Sequence, residues 1–233
     1  MEKIAIDIKE RKDIEIFFDA TSGISAIKDA IRKYKHIFLC QSTILSLEDV
    51  NKLLKLSEEA NVRTHVCFKV NYKLLNEIKN VVLEPAHIEI RRTSNILEQD
   101  IIYDILMSDI YFLLNIQKVP ISQIIATGTS KNGRDIDFAN VLIEFNNGSS
   151  ATLLIDKMSD EGNTLKVFQK KDKIDINISD ISRYFPEGVC IPEELNYFCR
   201  NIDNDVESES NFRNYQKVLN IVRKIEAIIR MKI

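Results

Sequence analysis

Proton transfer near neutral pH needs a histidine, a lysine or a carboxylate whose proton affinity is tuned to the working pH. The chain offers three histidines, His36, His65 and His87, and four cysteines, Cys40, Cys67, Cys190 and Cys199. No two cysteines form a Cys-x-x-Cys pair, which speaks against zinc. His65-Val66-Cys67 puts two ligand types on one strand face, but no third ligand accompanies them. The expectation is no metal site, with the cysteines as reduced, mostly buried thiols. Lys69 ends a strand and could accept a proton if buried, although an exposed lysine is the ordinary state. Ser42 and Ser108 have no base partner visible in the sequence, and a serine hydroxyl does not take a proton unless another base activates it.

The elements that must position these groups come from a chain of 233 residues, 45% hydrophobic and 29% charged, with a net charge of −3. That length allows one large domain or two small ones with real cores. The charges are mixed: Lys170-Lys171-Asp172-Lys173 reads as a solvated turn. No clustered Lys and Arg suggest nucleic acid. No stretch has the length of a membrane span. Met1-Glu2-Lys3-Ile4 does not open like a signal peptide, so a cytoplasmic protein is expected.

The first third alternates strand and helix. Ile14–Phe18, His36–Cys40 and Val62–Phe68 read as strands, with helices over Ser25–Tyr34 and from Ser46 to Asn61. Ser46 with Asp49 has capping-box spacing. Short links imply parallel pairing. The stretch Ile4–Ile8 alternates and is predicted to pair antiparallel with Ile14–Phe18, because the connection is too short for a parallel crossover. After Tyr72 the pattern changes. Ile101–Asn115 reads as an apolar helix. Phe138–Phe145 and Ser150–Ile155 flank Asn146-Asn147-Gly148, which predicts a hairpin with a type I′ turn. Leu165–Phe168 and Ile174–Ile178 suggest a second hairpin. Pro192–Arg200 and Asn211–Met231 read as closing helices.

Several local sequences fall in the order of a known family. Asp13-Ile14-Glu15-Ile16-Phe17-Phe18-Asp19-Ala20-Thr21 looks like a Rossmann strand ending in an Ala-Thr-Pro loop. Tyr34-Lys35-His36-Ile37-Phe38-Leu39-Cys40 is similar to the segment GKHVLCEKP up to its cysteine. Leu142-Ile143-Glu144-Phe145-Asn146-Asn147-Gly148-Ser149-Ser150-Ala151-Thr152-Leu153 is similar to a strand–turn–strand ending FENGAVATL. With Pro192–Phe198 and the last helix, these resemble the Gfo/Idh/MocA sugar oxidoreductases from about Asp13 to Ala227. The resemblance implies an α/β fold: a truncated Rossmann-like parallel sheet, followed by an α+β domain with an open, mainly antiparallel sheet. It divides the chain into residues 1–72 and 73–233.

The same resemblance implies a cleft lined by Gln41, Ser42, Thr43, Lys69, Asn71, Asp104, Ser108 and Tyr111, with Asp109 near it on the cleft helix. The departures are chemical. The family's Glu-Lys-Pro reads Gln41-Ser42-Thr43, its Arg-Phe reads Asn71-Tyr72, and its Gly-x-His-x-x-Asp reads Leu106-Met107-Ser108-Asp109-Ile110-Tyr111. Ser108 stands at the acid–base histidine. The Gly-rich phosphate loop has no counterpart, so no cofactor is expected; the alternative is NAD or NADP. The expected function is a catalytically degenerate binding or partner subunit related to sugar or polyol metabolism. The alternative is an active NAD(P)-dependent oxidoreductase on a sugar, sugar nucleotide or polyol, with a diverged or shared site. A homodimer through the C-terminal sheet is expected, because Val141, Ile143 and Phe145 lie on one face of their strand and Leu142 on the other.

Overall fold

A computed structural model describes residues 11–17, 23–40, 45–68, 70, 72–93, 101–131, 135–157, 163–169 and 191–232. The expected strand Ile4–Ile8 and the second arm of the later hairpin, Ile174–Ile178, lie outside them. In chain order the elements are β1 (Ile14–Phe17), α1 (Gly23–Arg32), β2 (His36–Leu39), α2 (Leu47–Glu59), β3 (Thr64–Val66), α3 (Tyr72–Val81), β4 (Ala86–Thr93), α4 (Ile101–Ile116), β5 (Ile121–Thr129), β6 (Phe138–Phe145), β7 (Ser150–Asp156), β8 (Thr164–Gln169), α5 (Ile191–Asp203) and α6 (Phe212–Arg230). No described helix is long and apolar enough to cross a membrane.

The chain forms two compact units, Met1–Lys69 with Gly188–Asn220, and Val70–Glu187 with Ile221–Ile233. They cut the chain differently from the linear division at 72/73. Residues 188–220, which that division puts with the second domain, pack with the first unit.

The first unit holds a parallel sheet in the order β1-β2-β3. Ile16 pairs with Phe38 and Phe38 with His65. Ile37, Phe38 and Leu39 are all fully buried. A central parallel strand is covered on both faces, which is why it reads as one apolar run. Ile14, Phe38 and Cys40 share a core cluster with Leu195 and Phe198 of α5. Helix α2 starts where the capping box places it: the Asp49 amide donates to Ser46 Oγ at 3.1 Å. Asn61, at a positive φ of 52°, follows its end. On β3, the Val66 amide donates to the Ser210 carbonyl at 2.6 Å, and Thr64 Oγ1 accepts the Phe212 amide at 3.2 Å.

The second unit holds a sheet in the order β5-β6-β7-β4-β8. Only the β4–β7 pair is parallel; β4–β8, β5–β6 and β6–β7 are antiparallel. The open, mainly antiparallel sheet is therefore present. Between β7 and the edge strand β8 lies β4, a strand the sequence pattern did not single out, and α3 and β5 were likewise unread. Ile88, Ile90, Val141, Ile143, Phe145, Ala151, Leu153 and Ile155 are buried on one face, and α4 packs on β7. Leu142 and Leu154, on the other face, are half-buried, and Ile125 is exposed.

The β6–β7 hairpin exists, but its turn is not type I′. Gly148 has a φ of 81°, while Asn146 and Asn147 have no positive φ. The Gly148 amide donates to the Phe145 carbonyl at 3.1 Å, and the Phe145 amide to the Ser149 carbonyl at 2.9 Å. This is a three-residue loop, a type I turn followed by a left-handed glycine. Asn147 Oδ1 accepts the Ser149 amide at 3.0 Å, so the asparagine braces the turn through its side chain.

Candidate functional site

Gln41, Ser42, Thr43, Lys69 and Asn71 lie outside the described residues. Asp104, Ser108 and Tyr111 are carried by α4 in the second unit. Spacings of three and four put them on one side of the helix. Ser108 Oγ donates to the Asp104 carbonyl at 3.1 Å. Its hydroxyl proton is thus held by its own helix, in the way buried serines bond back one turn. One turn further on, Asn115 Nδ2 donates to the Tyr111 carbonyl at 2.9 Å, and Lys79 Nζ of α3 donates to Asn115 Oδ1 at 3.1 Å. Tyr111 is fully buried. Every residue from Ile105 to Leu113 is buried, so the whole Tyr111 side chain lies inside.

Asp109, the next residue after Ser108, is a stronger chemical feature than any of these. Its side chain is fully buried and, among the described residues, neither carboxylate oxygen has a hydrogen-bond partner. Burial pushes the carboxyl up to about 6, and only the positive charge of Arg92 opposes that rise. Arg92 projects from β4 in the row shared with Ile155 of β7 and Ala139 of β6.

A second buried polar group sits in the first unit. His65 Nδ1 lies 2.7 Å from Ser208 Oγ, and His65 Nε2 lies 3.2 Å from Glu194 Oε2 of α5. A carboxylate can only accept, so the ring proton facing Glu194 is on Nε2. Nδ1 is then the acceptor of the Ser208 hydroxyl. Ser208 Oγ in turn accepts the Ser210 amide at 3.2 Å. Phe38 stacks on the imidazole with centroids 4.8 Å apart and planes 2° from parallel. Burial pushes the Cys40 thiol up to about 12, and the charge of Glu194 adds to the rise.

Serine, histidine and carboxylate in a chain is the composition of a nucleophilic triad. Here it cannot act as one. Ser208 is 2%, His65 0% and Glu194 2% exposed, so no substrate atom reaches the hydroxyl. The connectivity is also reversed, with the serine on Nδ1 and the carboxylate on Nε2. His65 is a core residue whose partners no local spacing announces, because 129 and 143 residues separate them from it. Among the described residues no group of three His, Cys, Asp or Glu side chains could hold a metal ion.

A dinucleotide needs a Gly-x-Gly turn at a helix start to receive its pyrophosphate. No two of the chain's six glycines are separated by a single residue. Gly23 opens α1 with a φ of 71°, but a Cβ there would meet nothing nearer than Ser25 Oγ at 3.7 Å. That glycine serves its backbone angle and does not form a close cradle, so the described residues do not fit a pyrophosphate site.

The sequence matches no protein-family model and no curated protein. Solved structures do match. A putative myo-inositol dehydrogenase from Sinorhizobium meliloti has a TM-score of 0.76 at 15% identity, covering 98% of this chain and 82% of its own. A probable dehydrogenase from Thermotoga maritima has 0.75 at 14%, covering 100% and 83%. The WlbA dehydrogenase from Bordetella pertussis, solved with NADH and UDP-GlcNAcA, has 0.71 at 13%, covering 100% and 80%. The chain thus carries the fold of the Gfo/Idh/MocA-type dehydrogenases, as the sequence resemblance implies.

Proposed function

We propose that this chain is a catalytically degenerate relative of the sugar and polyol dehydrogenases, acting as a binding or partner subunit. The observation that carries this reading is the Ser108 hydroxyl bonded to the Asp104 carbonyl. At the place where the resemblance implies an acid–base histidine, the side chain donates its hydrogen bond to a carbonyl of its own helix, and no base among the described residues accepts from it. A polyol oxidation needs a group that takes the hydroxyl proton as the hydride leaves. The missing phosphate turn supports the same reading, because a site without a cofactor has no use for a base. The chain alone then holds no dinucleotide tightly. The outward face of the second sheet, with Ile125, Leu142 and Leu154, is proposed as the contact of a homodimer.

A second reading is an active NAD(P)-dependent oxidoreductase with a diverged or shared site. It is favoured by the fold neighbour solved with NADH and a sugar nucleotide. The deciding experiment incubates the chain with UDP-N-acetylglucosamine or myo-inositol plus NAD or NADP and follows absorbance of the reduced nicotinamide. Thermal shift with each sugar ligand alone runs in parallel, since a ligand of the native state raises apparent stability. Stabilisation by a sugar ligand with no reduction of cofactor supports the binding subunit. Turnover supports the enzyme.

A further inference from the structure

An ionised carboxylate taken out of water needs hydrogen-bond donors or a well-placed cation. Among the described residues Asp109 has no donor at either oxygen. It sits in the middle of α4, within a run from Ile105 to Leu113 in which every residue is buried. The elements around it supply little charge. β7 brings Ala151, Leu153 and Ile155 to this face, all fully buried. Lys79 on α3 gives its ammonium to Asn115. Arg223 on α6 lies over the Tyr103 ring at 5.3 Å. Asp104 is on the same helix and its carbonyl holds Ser108. Among the described residues only Arg92 on β4 acts on Asp109 through its charge.

We propose that Asp109 is a proton switch in the second unit: with the proton bound, α4 lies against the sheet, and when the proton leaves, that packing loosens and water reaches the carboxylate. The geometry requires one or the other, because a bare carboxylate without donors is the least tolerable occupant of an apolar seam. The pH window follows from burial. The carboxyl titrates at about 6 in the fold and at its ordinary 3.8 when unfolded. The folded state therefore holds the proton more firmly. Its contribution to stability is complete below 3.8 and is lost as pH rises through about 6.

The test compares the full chain with its Asp109→Asn variant by calorimetry at about pH 4, 5, 6 and 7, the range bracketing the two titrations. The variant is isosteric and uncharged. Its melting temperature minus that of the wild type should grow between pH 4 and 6 and level off above. The full effect is a roughly hundredfold change in the folding equilibrium, about 3 kcal/mol by the usual conversion, or several degrees for a chain of this size. A difference that does not change with pH overturns the proposal. Hydrogen exchange on the wild type decides the matter even if the variant does not fold. Corrected for intrinsic rates, protection of α4 should fall from about pH 5 to 7 relative to the β6–β7 hairpin. Equal protection of both at both pH values overturns it.

Discussion

His65 Nδ1 and Ser208 Oγ stand 2.7 Å apart, although 143 residues separate them in the chain. The bond ties β3 to the segment that enters α6, beside the Val66–Ser210 backbone bond. Ser208→Ala leaves Nδ1 buried without its donor. The expected cost is about 1–3 kcal/mol, or a fall in melting temperature of several degrees by calorimetry. An unchanged transition would mean that the ring finds another partner.

The same bond fixes a proton position. Nitrogen NMR of the neutral ring should report the His65 proton on Nε2 and none on Nδ1, because Glu194 accepts and Ser208 donates. The opposite tautomer would contradict the assignment of the network.

Gly128 of β5 is a packing glycine. A Cβ at this position would lie 2.6 Å from Ile229 Cγ2 of α6 and 2.7 Å from the Phe138 carbonyl oxygen. The isoleucine can shift but the strand backbone cannot do so cheaply. Gly128→Ala is therefore expected to destabilise the chain by about 1–3 kcal/mol, the range for overpacked sites. Chemical denaturation should show a lower midpoint with an unchanged slope.

How much of this was legible in the sequence depends on how local each signal is. Ser46 with Asp49, Asn61 and the Asn-Asn-Gly turn are short-range devices, and each marks the element boundary it suggests. The turn type was not legible, because asparagine suits both a left-handed residue and a bracing side chain, and only the backbone decides. β4 alternates cleanly through Ala86, Ile88 and Ile90, yet its place between β7 and β8 comes from pairing with Ser150–Asp156 and Thr164–Gln169, far along the chain. β5, Ile121–Thr129, carries no charge and does not alternate strictly, so its own residues do not announce it. The site residues on α4 were readable as a helix face. The isolation of Asp109 was not, since an aspartate in an apolar helix looks the same whether or not a donor waits across the sheet. Glu194 and Ser208 became partners of His65 only when three distant segments met.

The proposed dimer uses the outward face of the second sheet. Static light scattering at tens of micromolar, roughly the range that reveals a micromolar dimer, should give twice the mass of one chain. Ile125→Asp should shift it to the monomer, because Ile125 is 42% exposed and its replacement costs the fold little. A monomeric wild type at that concentration would count decisively against the contact.

Putting the implied family residues back should not create an enzyme. Ser42→Lys combined with Ser108→His adds a base and a lysine, but it adds no phosphate turn. NAD reduction with myo-inositol should stay at background. Measurable turnover would show that the cofactor is held by some other means.

The most direct test of the central claim is calorimetric titration of the full chain with NAD and with NADP. A dinucleotide anchored without a pyrophosphate turn has to overcome the entropic cost of association with few contacts. The account predicts a dissociation constant of about a millimolar or weaker for both. A constant of roughly ten micromolar or tighter, near −7 kcal/mol, would contradict it and favour the oxidoreductase.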